Sequence, residues 1–186
     1  MKTLIVYATR YGATALTSQE IANILREENF DVRVVDAKKE KIKDISEFEL
    51  VIVGGGLKMN RWTGESDDFL KNFQKDLSQK KVAIFVSSAM KSLFERQGKT
   101  EDLQKIMKSH LEDRASKYHL HPIALGLFGG VWDKDKMGFL FRRTLGILVK
   151  QFEAAGFKET GPGLIDTRDL EEIRNWTREL AQKALK

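Results

Sequence analysis

The sequence predicts a doubly wound α/β domain: five parallel strands in the order 2-1-3-4-5, helices on both faces, and an extra helical segment between strand five and the last helix. Strand-type runs alternate with helix-spaced apolar positions from end to end. The strand runs are continuously apolar, as parallel strands buried on both faces must be. At 186 residues, with no repeat, low-complexity tract or linker, the chain reads as one domain over 1–186. Right-handed crossovers then make a doubly wound sheet, and five strands fit 2-1-3-4-5 better than a six-stranded dinucleotide-binding arrangement.

Leu4-Ile5-Val6-Tyr7 is the first strand, and residues 13–28 follow as a helix with Ile21, Ala22, Ile24 and Leu25 on one side. Val32-Arg33-Val34-Val35 is the second strand. Leu50-Val51-Ile52-Val53 is the third and runs directly into Gly54-Gly55-Gly56. Phe69, Leu70, Phe73 and Leu77 keep helical spacing before the fourth strand, Val82-Ala83-Ile84-Phe85-Val86. Leu103, Ile106, Met107, His110 and Leu111 mark another helix, Ile123-Ala124-Leu125 the fifth strand, and Leu170, Ile173, Thr177, Leu180, Ala181 and Ala184 the closing helix. The extra stretch contains Met137–Val149, read as a helix running to about Ala155. It is apolar on more than one side and carries Arg142 and Arg143, so it is either a packing element or a substrate or membrane contact.

Composition narrows the chemistry. The chain has no Cys, which excludes disulfides, thiolate catalysis and Cys-ligated metal, so any redox chemistry needs a bound cofactor. Of the three His, His119 and His121 share a face only if they lie on a strand, and no third ligand accompanies them; no metal site is expected. The opening apolar run is too short for a signal peptide and no run reaches about 18 apolar residues, so the expected location is the cytoplasm, with peripheral membrane contact through 136–155 as the exception. The net charge is +5, with Lys and Arg spread among acidic residues. The densest cluster, Lys38–Lys43, reads as a solvated turn, and no nucleic-acid partner is expected.

Ligands of such sheets sit beyond the carboxyl ends of the strands. Four loops arrive there. The first, Ala8-Thr9-Arg10-Tyr11-Gly12-Ala13-Thr14, opens a helix: backbone N–H groups can wrap an anion, Thr9 and Thr14 offer hydroxyls, Gly12 allows close approach and Arg10 adds a charge-assisted bond. It lacks the Gly-Lys-Ser/Thr ending of a Walker loop, and its Thr residues equally suit a plain helix cap.

This loop resembles the phosphate loop of flavodoxins. The opening Met1–Arg10, with Gly12 and Thr14, is similar to the flavodoxin-like branch that contains the menaquinone-dependent protoporphyrinogen oxidases, and the resemblance extends over nearly the whole chain. It implies one FMN, its phosphate at Thr9, Arg10, Tyr11, Gly12, Ala13 and Thr14. Gly56, Leu57, Lys58 and Trp62 of the second loop would then lie beside the ring, with Trp62 or Met59 covering a flavin face. Ser87, Ser88, Ala89 and Met90 of the third loop match residues that hydrogen-bond the flavin edge, and Lys91 is either a charge near the ring or an ordinary surface lysine. In the fourth loop, Phe128 between glycines suits a ligand wall and Trp132 a flavin or substrate contact.

The implied function is an FMN-dependent oxidoreductase resembling quinone-dependent protoporphyrinogen oxidase, moving hydride equivalents from substrate to quinone. Its partners would be a small-molecule substrate or redox partner, porphyrinogen and quinone in the oxidase reading, with Lys136, Arg142 and Arg143 meeting substrate carboxylates. Catalytic residues and oligomeric state are not assigned. Phe128, Gly129 and Gly130 depart from the Arg-Tyr-type residues of the oxidases. The alternative is a flavodoxin-type FMN electron carrier, against which the basic charge argues. A domain that has lost its flavin would show a damaged first loop, and a receiver-type regulator would need more acid at the strand ends than Asp36.

Overall fold

The computed structural model describes residues 1–58, 61–133 and 146–186. In chain order the elements are β1 (Lys2–Ala8), α1 (Ala13–Glu27), β2 (Asp31–Asp36), β3 (Leu50–Lys58), β4 (Arg61–Trp62), α2 (Gly64–Asn72), α3 (Gln74–Leu77), β5 (Lys81–Ser87), α4 (Ala89–Arg96), α5 (Thr100–Met107), a π-helical turn (Lys108–Glu112), α6 (Asp113–Lys117), β6 (Ala124–Phe128), β7 (Val131–Asp133), α7 (Gly146–Ala154), β8 (Leu164–Asp166) and α8 (Leu170–Leu185). The main sheet runs β2-β1-β3-β5-β6, all parallel, which is the predicted order of five strands. Two-residue β4 is an addition, pairing antiparallel with the end of β3.

The side-chain period of two sorts each strand between two cores. Leu4 and Val6 of β1 pack with Val51, Val53 and Ile84 under α2, α5 and α6. Ile5, between them, packs with Ile52, Ala83 and Phe85 under α1 and α8. All nine are fully buried, so the strands read as unbroken apolar runs. Asp169 starts α8 by accepting the backbone N–H groups of Glu171 and Glu172 at 2.9 and 3.1 Å.

Two regions differ from the expectation. The helix marked by Leu103 to Leu111 is interrupted by the π turn, which carries buried His110. The extra segment is not only helical: β7 and β8 form a small antiparallel sheet that, with α7, encloses a third core of Leu93, Trp132, Phe152 and Ile165. The helix expected from Met137 is seen as α7; Met137–Leu145, with Lys136, Arg142 and Arg143, lies outside the described residues. No helix among the described residues is long and apolar enough to cross a membrane.

Candidate functional site

All four loops meet in one pocket at the carboxyl edge of the sheet, a cavity of about 140 Å³. Thr9, Arg10, Tyr11, Ala13 and Thr14 form one wall. Gly12, φ +98°, makes the left-handed turn that starts α1, a conformation that favours glycine, and its N–H donates to Thr9 Oγ1 at 2.9 Å. That bond uses Thr9 as acceptor and leaves its proton for a ligand. Gly12 therefore shapes the loop without lining the cavity. Lys38, assigned above to a solvated turn, donates from Nζ to the Thr9 carbonyl at 2.5 Å and braces the same loop. The first N–H groups of 15-residue α1 have no intrahelical acceptor and point at this end.

The second loop brings Gly56 and Leu57 to the cavity. A Cβ on Gly54 would lie 2.3 Å from the Phe85 ring and one on Gly55 2.6 Å from the Trp62 ring, so these glycines serve internal packing. Gly56 alone of the three borders the cavity, where a Cβ would come 3.0 Å from Thr14 Oγ1. Trp62, expected beside the ring, does not line the cavity. It is buried in the core, donates from Nε1 to the His110 carbonyl at 3.1 Å, and has the Arg114 guanidinium 4.9 Å from its ring centre. Burial, with the Arg114 charge, holds the His110 imidazole below its usual pKa. The Lys58 side chain and Met59 lie outside the described residues.

The third loop places Ser87, Ser88, Ala89 and Met90 on the cavity. Lys91 is a correction. It turns into a neighbouring groove, donating to Glu172 Oε1 and Oε2 at 2.8 and 2.7 Å and pairing with Glu95 at 2.8 Å. Burial alone would lower its pKa; the two carboxylates outweigh burial and raise it. In the fourth loop the wall is Gly130, Val131 and Trp132. Phe128 instead fills the core against Phe85 and Trp176, at ring-centre distances of 5.8 and 5.3 Å. Gly130 and Val131 belong to the fourth loop but were not among the residues expected to bind the cofactor.

Three walls carry a buried polar atom with no hydrogen-bond partner among the described residues: Thr14 Oγ1, Ser87 Oγ and Trp132 Nε1. Leaving such a group unsatisfied costs about 1–3 kcal/mol, and all three are donors. A ligand rich in acceptors, anionic at the α1 end, satisfies them. The ribityl, phosphate and ring oxygens and nitrogens of a flavin mononucleotide have that character, so the residues present fit the group. Among the described residues no three His, Asp or Glu are arranged to hold a metal; His119 and His121 lie in the connection from α6 to β6, off any strand.

The model of the flavodoxin domain family matches residues 4–158. The chain belongs to this family. Among solved structures, a flavodoxin from the Archaea shares 15% identity at TM-score 0.58, covering all of both chains. Oxidised flavodoxin 2 from Bacillus cereus shares 19% at TM-score 0.56, over 98% of this chain and 99% of its own. A flavoprotein of Lactobacillus acidophilus solved in complex with FMN shares 17% at TM-score 0.47, over 68% of this chain and 92% of its own. No curated protein matches in sequence.

Proposed function

We propose that this flavodoxin domain binds one FMN and acts as an FMN-dependent oxidoreductase of the quinone-dependent protoporphyrinogen oxidase type. The observation that carries the FMN reading is that Thr14, Ser87 and Trp132, from three walls of one cavity at the N-terminus of α1, each carry a buried side-chain polar atom with no hydrogen-bond partner among the described residues. Thr9, Arg10 and Thr14 would hold the phosphate, and Gly56, Leu57, Ser87–Met90 and Gly130–Trp132 the ribityl chain and ring. Bound there, FMN supplies one- and two-electron redox chemistry. The chain's own part is orientation, exclusion of water and the local field.

The oxidase reading is supported by the basic charge, by Arg10 at the cavity, and by Lys136, Arg142 and Arg143 closely following Trp132 in sequence, suited to a substrate bearing carboxylates. One observation favours a flavodoxin-type electron carrier instead: the described cavity wall holds no carboxylate, imidazole or ammonium to move a substrate proton. The first test is an absorption spectrum of the purified protein and titration with FMN, FAD and riboflavin. Flavin bands with preference for FMN support the reading, and no binding at micromolar concentration refutes it. Anaerobic turnover of protoporphyrinogen with a menaquinone analogue then supports the oxidase. FMN bound and reducible by a carrier partner, without such turnover, leaves the carrier.

A further inference from the structure

The four loops are joined in pairs by two threonines that neither line the cavity nor belong to any motif. Thr63, fully buried, directly precedes α2, where a threonine hydroxyl would ordinarily cap the helix. Its hydroxyl makes no cap. Oγ1 donates to the Ala8 carbonyl at 3.0 Å and accepts the Gly56 N–H at 3.4 Å, while its own N–H donates to the Gly56 carbonyl at 3.1 Å. Loops one and two are thereby held at a fixed separation. Thr167, 5% exposed, follows β8 in the extra segment. Its Oγ1 accepts the Gly130 N–H at 3.0 Å and donates to the Gly130 carbonyl at 2.9 Å, and its N–H donates to that carbonyl at 2.9 Å. Its carbonyl accepts Ser92 Oγ–H of α4 at 2.7 Å. Loops three and four are thereby held together. The fit is tight enough that a Cβ on Gly129 would sit 2.1 Å from the Thr167 carbonyl oxygen.

We infer that Thr63 and Thr167 are positioning residues for the flavin: Thr63 sets the phosphate end of the cavity, and Thr167 sets the ring end. The inference rests on the FMN reading above. A cavity preformed by buried hydrogen bonds spares the ligand the cost of ordering its own loops. The extra segment between β7 and α8 then has a role at the site, because it delivers Thr167.

The test measures dissociation constants for FMN and riboflavin, with urea unfolding of the flavin-free protein, for Thr63→Val, Thr167→Val, Thr167→Ser and Ser92→Ala. Riboflavin lacks the phosphate, so it reports the ring end alone. Thr167→Val is expected to weaken both flavins by about tenfold, with Thr167→Ser restoring most of the affinity. Thr63→Val is expected to weaken FMN several-fold more than riboflavin. Ser92→Ala removes one Thr167 bond without touching the threonine and is expected to weaken both flavins by a few-fold, which keeps the test alive if a valine variant fails to fold. Folded variants that bind both flavins within twofold of the unsubstituted protein overturn the inference while leaving the FMN reading intact, as does a loss of unfolding stability with the FMN-to-riboflavin ratio unchanged in every variant. An unsubstituted protein that binds neither flavin overturns both.

Discussion

Replacing Thr14 by valine should move stability and affinity in opposite directions. Thr14 is 1% exposed and its Oγ1 has no hydrogen-bond partner among the described residues. Valine has nearly the same shape and helix propensity, so the change removes a buried unsatisfied hydroxyl and little else. The flavin-free protein should gain about 1 kcal/mol, the lower end of the penalty for such a group. With a urea dependence of about 2.5 kcal/mol per molar for a domain of this size, that is an upward shift of about 0.4 M in the midpoint. If Thr14 holds the phosphate as proposed, the flavin complex should lose the bond from this hydroxyl. Bonds to a charged group contribute about 1.5–3 kcal/mol, so the FMN dissociation constant should rise about 10- to 150-fold. Urea unfolding followed by circular dichroism, with and without excess FMN, reads both numbers in one experiment, because the FMN-induced shift follows the affinity by linkage. Thr17 provides the control: it is equally buried, has no side-chain hydrogen-bond partner among the described residues, lies one turn further along α1, and does not line the cavity. Thr17→Val should raise the midpoint and leave FMN alone. A Thr14→Val protein that is less stable without flavin and binds FMN unchanged would refute the reasoning.

Trp62→Phe removes the indole N–H bond to the His110 carbonyl; unfolding should become easier by about 1–2 kcal/mol while FMN titration stays within twofold, and a large loss of affinity with unchanged stability would return Trp62 to the flavin. Asp67 gives a pH signature. Burial raises its pKa, but the Tyr118 hydroxyl at 2.7 Å and the Arg114 and Lys117 charges outweigh that and hold it below 3.8. A carboxyl depressed in the folded state stabilises fully above its unfolded value and loses that contribution as pH falls through the lower folded one. Asp67→Asn should therefore be less stable at pH 7 and show a flatter decline below about pH 4, read by thermal melts across pH. Gly129→Ala forces a Cβ to 2.1 Å from the Thr167 carbonyl; the backbone must shift, and calorimetry should show weaker flavin binding together with a destabilisation of about 2 kcal/mol.

Much of the fold was legible because its signals are local. Leu50, Val51, Ile52 and Val53 are consecutive and all fully buried, so a parallel central strand can be read from four letters. The first loop was legible for the same reason: Gly12 and Thr14 belong to one turn and to the helix it starts. Legibility failed where a side chain's partner lies far along the chain. Trp62 and Lys91 sit in ligand-loop positions and have ligand-like chemistry. Their orientation is decided by His110, 48 residues on, and Glu172, 81 residues on. No spacing near Trp62 announces that a π turn will present a carbonyl to it.

The glycines make the same point from the other side. Gly54-Gly55-Gly56 looks like one permissive stretch for a ligand. Yet Gly54 makes room for Phe85, Gly55 for Trp62, and only Gly56 borders the cavity. The motif thus combines two constraints, close packing beneath the sheet edge and an opening above it, and sequence alone cannot divide them. The segment after β6 was harder still, because its apolar residues suggested only helix. Its clearest link to the site is one threonine whose hydroxyl and carbonyl join Gly130 to Ser92 across 37 and 75 positions. A residue that acts by holding two other segments leaves no periodicity and no motif. It becomes visible only when the hydrogen bonds of those segments are traced to their ends.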